Sequence, residues 1–481
     1  MLFTSLEFLL FLPLTLVCFG LVRADRRWAV LLLASWVFYG FAKPANLLYL
    51  GGVTAVVLVC TQALARAQAA ARSAWLVLGL TTVLGSLAAL KFYDFAAGEI
   101  ERLVEGAALP RLGLASPAGY SFYAFSAASL LIDTYARRLH PAGPGELALY
   151  LAHFPKVLAG PIERATAFLP RVREGLSPSP ELAVHGLQLL LWGLVKKVLI
   201  ADNLAPFVDK TFGIAAYASP VDLLVSVYFF AFQIYCDFSG YTDMAIGISM
   251  LFGLPLIENF RRPYLARSTA EFWGERWHIS LGRWFRDYLY LPLGGSRAGR
   301  VRHYLNLMIV FLASGLWHAG LGYGVGWTFL VWGALNGAYL WGGVATRPLW
   351  QRLARALPRA AGSLGWATLR VLLTFHLVLV SWVFFRAKTI EEAWLVLKRI
   401  ATQLPELPGL AMSYPFGADH KLGAALIAGL LIVELVDERR SLFERLRAAP
   451  TALRWGVCYL AIAALLLGGR WQSREFIYMQ F

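Results

Sequence analysis

Apolar residues in this chain fall in long, nearly uncharged runs rather than in stripes of helical or strand period. The runs cover 8–22, 28–41, 47–64, 75–90, 115–135, 182–200, 221–254, 327–340, 371–385, 422–436 and 453–467. A further one, YLNLMIVFLASGLWHAG, sits inside a polar central stretch at 258–326. A helix of about 20 apolar residues crosses the hydrocarbon of a bilayer. Counted this way, the chain predicts roughly twelve spans and an all-α, polytopic membrane fold.

The charges between the runs set an orientation. The first run follows Glu7 and precedes Arg23, Arg26 and Arg27, a polarity opposite to that of a cleaved signal peptide. It reads as a retained span with its N-terminus outside. Arg66 and Arg72, Arg137 and Arg138, Arg347 to Arg359, and Arg445 and Arg447 then fall on the cytoplasmic side, as basic loops do. The loop with Glu99, Glu101, Arg102 and Glu105 has no positive excess and is expected outside. Both termini, including the tail 469–481, are expected in the periplasm. Lys388, Lys398 and Arg399 break the pattern, in a segment whose 390–400 portion reads as an amphipathic helix on the outer face. The segment 140–175 is half apolar and interrupted by Pro155, Gly160, Pro161 and Pro170. Non-helical backbone survives at membrane depth only inside protein or along a cavity, so this reads as a cytoplasmic re-entrant or interfacial element. No internal repeat is visible, which argues against a transporter built from repeated halves.

Composition narrows the class further. Of 481 residues, 58% are hydrophobic and 15% charged, against about 25% charged in soluble domains. The mean hydropathy is +0.59. These values exclude a soluble scaffold. The net charge of +15 belongs to juxtamembrane positions facing anionic lipid, not to a nucleic-acid surface. Cys18, Cys60, Cys236 and Cys458 are far apart, with no CxxC spacing. That argues against a zinc site or a disulfide framework, and no metal is expected.

Among the charges within apolar runs, Lys196, Lys197, Asp237 and Asp243 stand out. The lysines could snorkel or face a cavity. The aspartates, six residues apart, do not share a helix face closely. Pairing with a buried arginine or a helix N-terminus is the favoured role for them. A coupling-ion site is the alternative.

Most candidate chemistry is in the central stretch. Ser268 and Glu271 fit a capping box before a helix with Trp273, Trp277, Leu281, Trp284 and Tyr288 on one face and Glu275, Arg283, Arg286 and Asp287 on the other. An aromatic stripe suits the headgroup boundary. Pro292, Gly294 and Gly295 end it. His278 has Gly274 and Gly282 four residues to either side, which on a helix leaves room for another helix or a ligand. His318 lies in SGLWHAG, near the outer end of its span, with Ser314, Gly315, Trp317 and Ala319 beside it. Each histidine could simply serve helix packing. A neutral imidazole at that depth could also take a proton from a hydroxyl. GxSxG and HExxH are absent, and GLGYGVGW lacks the strand and lysine of a phosphate loop, so it reads as a turn.

RPYLARSTAEFWGERWHISLGRWFRDYLYLPLGGSR followed by SGLWHAGLGYGVGWTFLVWGALNGAYL resembles the membrane-bound O-acyltransferases. The resemblance is greatest to the bacterial branch that holds the alginate O-acetyltransferases and the teichoic-acid D-alanylation proteins. MLFTSLEFLLFLPLTL, YCDFSGYTDMAIG and REFIYMQF extend it over the whole chain, with Met479 where a phenylalanine is expected. The resemblance implies one membrane domain over 1–481 with its catalytic core at 258–340. It implies a ring of tilted helices around a central tunnel. It makes His318 the catalytic histidine and His278 the second family histidine. Trp317, Ser314, Gly274, Gly282, Trp277 and Asn259 become candidate tunnel-lining residues. No permanently bound cofactor is implied. The expected donor is acetyl-CoA or another acetyl thioester on the cytoplasmic side of the inner membrane. The expected acceptor is an exported polysaccharide, most of all alginate, served by periplasmic O-acetyltransferase partners. D-alanyl or acetyl transfer to teichoic acid, cellulose, peptidoglycan or another exopolysaccharide is the near alternative, and a polymer or ion transporter without chemistry the distant one.

Overall fold

The computed structural model describes residues 1–41, 43–113, 116–297, 299–319, 326–439, 441–471 and 476–477. The glycine-rich turn after His318 and most of the tail, with Met479, lie outside them. Every regular element among the described residues is helical. Six helices are long and apolar enough to cross a membrane: Asn46–Arg66, Ala69–Leu103, Pro180–Gly213, Pro220–Leu251, Leu364–Arg386 and Thr451–Gly468. The other apolar runs also become helices. Leu6–Leu21, Arg27–Gly40 and Tyr120–Tyr135 are shorter, while Arg300–His318, Gly326–Ala356 and Ala418–Arg439 carry more polar residues. Ile390–Gln403 forms the expected amphipathic helix, capped by Thr389.

One expected loop is helix. Ala69–Leu103 runs for 35 residues and contains Glu99, Glu101 and Arg102. Its charges are satisfied by the chain that folds back on it. Asp94 accepts from the N–H groups of Leu112 (2.8 Å) and Gly113 (3.0 Å). Glu101 accepts from Leu109 N–H (2.8 Å) and pairs with Arg111.

The chain groups into two compact units, one of Met1–Leu194, Tyr241–Glu258 and the tail, the other of Val195–Gly240 and Asn259–Trp471. In the first, the proline-broken segment folds as Pro144–Ala152, Phe154–Val157 and Ala165–Glu174, largely buried. Its irregular backbone finds internal partners, as burial away from water demands. Tyr150 Oη donates to the Glu163 carbonyl (2.8 Å), and the Glu163 carboxylate accepts from Ile257 N–H (2.6 Å). His153 Nε2 lies 2.8 Å from Ser249 Oγ. Gly119, at φ +73°, abuts this element, where a Cβ would sit 2.2 Å from the Val157 carbonyl oxygen. Asp243, also in this unit, is half-buried.

In the second unit, Arg300–His318 packs antiparallel on Gly326–Ala356. Neighbours run in order from His318 against Trp332, through Gly315 against Gly333 and Met308 against Gly337, to Tyr304 against Trp341. The crossing is glycine on glycine. A Cβ on Gly315 would be 2.4 Å from the Phe329 carbonyl oxygen, and one on Gly333 would be 2.4 Å from that of Phe311. Small residues let the backbones touch. Gly333→Leu is therefore expected to destabilise the protein by about 3 kcal/mol, the upper end of overpacking. Gly456→Leu, where nothing lies within 4 Å, should be neutral. Size-exclusion profiles of detergent-solubilised protein after graded heating read both.

Lys197 neither snorkels nor faces a cavity. It is buried on a π-helical turn, Val195–Ala201, with Nζ 2.6 Å from Asp237 Oδ1 and 3.0 Å from Asp202 Oδ1. The partner of Asp237 is thus a lysine, not the expected arginine or helix terminus. Lys196 is buried too, its Nζ 5.8 Å from the centre of the Tyr235 ring.

Candidate active site

The central stretch begins as its sequence suggests and then departs. Ser268 Oγ accepts from Glu271 N–H (3.1 Å). The returning arm of the capping box reaches one residue further back, where the Glu271 carboxylate accepts from Arg267 N–H (2.8 Å). The continuous helix does not form. A short turn, Thr269–Glu271, passes into a π-turn, Phe272–Arg276, and the chain then breaks. Trp277 is extended (φ −110°, ψ 125°) and His278 left-handed (φ 44°, ψ 52°) before a new helix, Ile279–Phe285.

The break has a physical cause. Residues 259–261 lie alongside 276–279 and take the bonds that a helix would need: Arg261 N–H donates to Arg276 O and Ile279 N–H to Asn259 O, each at 2.9 Å. Arg276 anchors the junction, reaching Glu271 (2.7 Å) and Glu438 (2.7 Å). Arg262, the other left-handed residue here, pairs with Asp437 and Glu438. His278, Gly274 and Gly282 therefore do not form one helical ridge. Gly274 faces open space, whereas a Cβ on Gly282 would be 3.0 Å from the Trp273 carbonyl oxygen, so this glycine lets the two pieces fold together.

A cavity of about 1100 Å³ lies in the second unit and brings His278 and His318 onto one wall system. Trp277, Gly274, Gly282 and Ser314 also line it. Trp317 and Asn259, expected on the lining, do not. Trp317 is buried with its ring centre 4.7 Å from that of His318 and 6.1 Å from that of His278, so it is a packing plate against both. Asn259 is buried behind His278, its Oδ1 3.2 Å from His278 Nδ1. Trp332 and Phe385 pack on the other sides of His318, at 5.2 and 5.3 Å between ring centres. Burial holds the His278 imidazole far below its ordinary pKa, at about 3, with a backbone hydrogen bond opposing the shift in part, so the ring is neutral at pH 7.

The same cavity shows residues that sequence reasoning missed. On Arg300–His318 its lining runs His303, Leu307, Val310, Ser314, His318, a helical face about 22 Å long at 1.5 Å per residue. His303, at the start of this helix, is spaced fifteen residues from His318, close to four turns, which places it near the same face. Its Nδ1 lies 2.8 Å from Tyr290 Oη. Arg347 lies beyond Trp341, past the His303 end of the helix pair. It lines the cavity with Arg370, Trp350 and Trp366, and the two tryptophans pack edge to face at 5.5 Å. The cavity thus joins His278 and His318 to a region lined by Arg347 and Arg370, and Arg267, Arg283 and Arg286 also border it. Such a site can hold an extended molecule with an anionic head and a reactive tail.

The sequence is similar to those of known proteins. The pattern defining the membrane-bound O-acyltransferase family, MBOAT, matches residues 27–385. A probable alginate O-acetylase, AlgI, of Pseudomonas aeruginosa is 36% identical over 411 residues, covering 82% of this chain and 74% of its own. A peptidoglycan O-acetyltransferase of Helicobacter pylori is 33% identical over 430 residues, covering 82% and 78%. A teichoic acid D-alanyltransferase of Bacillus subtilis is 25% identical over 290 residues, covering 58% and 71%. The chain belongs to the membrane-bound O-acyltransferase family and is an acyltransferase.

Proposed function

We propose that this enzyme transfers acetyl from a cytoplasmic acetyl thioester, acetyl-CoA or a similar donor, for O-acetylation of an exported polysaccharide, with alginate the favoured acceptor. The observation that carries the reading is the single cavity joining an arginine-lined region to His278 and His318. Arginine suits the phosphates of such a donor, and about 22 Å of helix face suits an extended arm between phosphate and thioester. The protein sits in the inner membrane with both termini in the periplasm. There, partner O-acetyltransferases complete delivery to the polymer.

His318 is the general base. It takes the proton of an acceptor or relay hydroxyl as the oxygen attacks the thioester carbonyl. The C–S bond then breaks, the thiolate takes the proton from the imidazolium, and the products are an acetyl ester and a free thiol. His278 positions a reactant or polarises the carbonyl. Holding both reactants in one cavity adds to the rate by removing the entropy cost of their encounter.

The similarity to a peptidoglycan O-acetyltransferase over the same share of the chain supports peptidoglycan as the second acceptor. A deletion strain complemented with the wild-type chain tests both, with ester-linked acetate measured by NMR on each exported polymer. Loss of acetate from alginate, with export unchanged, is the expected result. Loss from peptidoglycan alone selects the second reading. Loss of export itself returns the transport reading.

A further inference from the structure

The proton on His278 can be placed from the hydrogen bonds around Asn259. Three groups converge on Asn259 Oδ1: Ser280 N–H at 3.1 Å, Ser280 Oγ at 2.9 Å and His278 Nδ1 at 3.2 Å. A backbone N–H can only donate. The atom facing Ser280 N is therefore the amide oxygen, and flipping the amide would set its NH₂ against another donor. An amide oxygen can only accept. The His278 nitrogen beside it must then carry hydrogen.

We propose that Asn259 is a positioning residue that holds His278 as the Nδ1–H tautomer, so that Nε2 is the ring's hydrogen-bond acceptor. His278 lines the cavity and Asn259 does not, so the imidazole stands between them, with its Nδ1 edge turned to the amide. The surroundings reinforce a neutral ring. Phe238, Phe260 and Trp317 pack on it with ring centres at 4.8, 6.3 and 6.1 Å. Asn259 also fixes the backbone that presents it. Its carbonyl accepts from Ile279 N–H and its side chain from Ser280 N–H, closing the left-handed turn at His278. A non-glycine residue persists in that conformation only where its surroundings impose it.

This deepens the acyl-transfer reading and rests on it for the chemistry. Of the two roles open to His278, an acceptor at Nε2 can orient a hydroxyl for attack. It cannot polarise the thioester carbonyl, which requires a donor. His278 therefore belongs to the nucleophile's side of the reaction. His318 takes the proton from a hydroxyl that His278 helps to aim.

The experiment uses the full-length protein in detergent, labelled with ¹⁵N-histidine, the His278 signals being those lost in a His278→Asn sample. The wild type should show a protonated Nδ1 and a bare Nε2 at pH 7. Asn259→Asp keeps an acceptor oxygen and should keep Nδ1 protonated. Asn259→Leu removes it and should let the other tautomer appear. With acetyl-CoA as donor, Asn259→Leu should lose at least about tenfold in kcat, since a wrong histidine tautomer costs far more in a hydrolytic triad. Its KM for acetyl-CoA should not change, and Asn259→Asp should recover part of the loss. A bare Nδ1 in the wild type overturns the proposal, whether or not the variants fold. So does a folded Asn259→Leu protein with the wild-type tautomer and kcat. If the tautomer is as stated but the purified protein moves no acetyl, the acyl-transfer reading falls and the assignment of Asn259 as tautomer-setting stands.

Discussion

A His318→Ala protein is expected to reach the membrane at the wild-type level and to leave the exported polymer without ester-linked acetate. Loss of a general base alone removes about 10²–10⁴-fold, enough to take acetylation below detection in a growing culture. The side chain is enclosed by Trp317, Trp332 and Phe385, so alanine also leaves a void. His318→Gln separates the two effects, because glutamine fills more of the space and bonds through its amide but cannot serve as a base at neutral pH. Both variants should be inactive, with His318→Gln showing the wild-type thermal profile. Membrane content by immunoblot, heat-stability in detergent and polymer acetate by NMR make the comparison complete. Full acetylation by either variant at normal expression would remove His318 from the reaction.

Much of this architecture is legible from hydrophobic pattern because burial in lipid is read one run at a time. The helices Asn46–Arg66 and Leu364–Arg386 need no distant partner to be recognised, and the runs at 47–64 and 371–385 fall inside them. The proline-broken segment, which reads as a re-entrant or interfacial element, is largely buried in protein. What escaped the pattern is set by partners far along the chain. The break before His278 depends on Asn259, Arg261 and Glu438, the last 160 residues away. Glu271, which the sequence marks as a capping residue, and Arg276 are members of that junction. The helical state of Glu99 and Glu101 depends on a return loop that a window of local sequence does not contain.

The site divides in the same way. His278 and His318 stand out because imidazoles are rare in apolar surroundings, and the cavity does bring both together. The arginine-lined region was hidden by a rule that is itself sound. Arg347 reads as a charge that holds a loop on the cytoplasmic side, and nothing local says that it borders a cavity with Arg370. Asn259 and Trp317 were placed on the lining because proximity in a motif was taken for exposure to the cavity. Both instead act on the histidines from behind.

Lys197→Met is expected to be the most damaging single change away from the cavity. The buried group includes one ammonium and two carboxylates, so removing Lys197 takes a shared cation from Asp202 and Asp237, both buried. Breaking a buried pair from one side costs about 3–5 kcal/mol, and two carboxylates losing the same cation should place this variant at the upper end. Folded protein should be nearly absent from the membrane. Asp237→Asn leaves Lys197 with Asp202 at 3.0 Å and should be milder. The combination Lys197→Met, Asp202→Asn and Asp237→Asn removes these charges at once, and replacing a whole buried ion group is often close to neutral, so membrane content should return. That combination also decides what the charges are for. If they only hold the π-helical turn Val195–Ala201 against Pro220–Leu251, the recovered protein should acetylate polymer at the wild-type rate per folded molecule. If they were a coupling-ion site, it would accumulate and be inactive. The lysine sits within 3.0 Å of both carboxylates, which is the geometry of a structural ion pair, and acetylation by the uncharged variant is the result that this predicts.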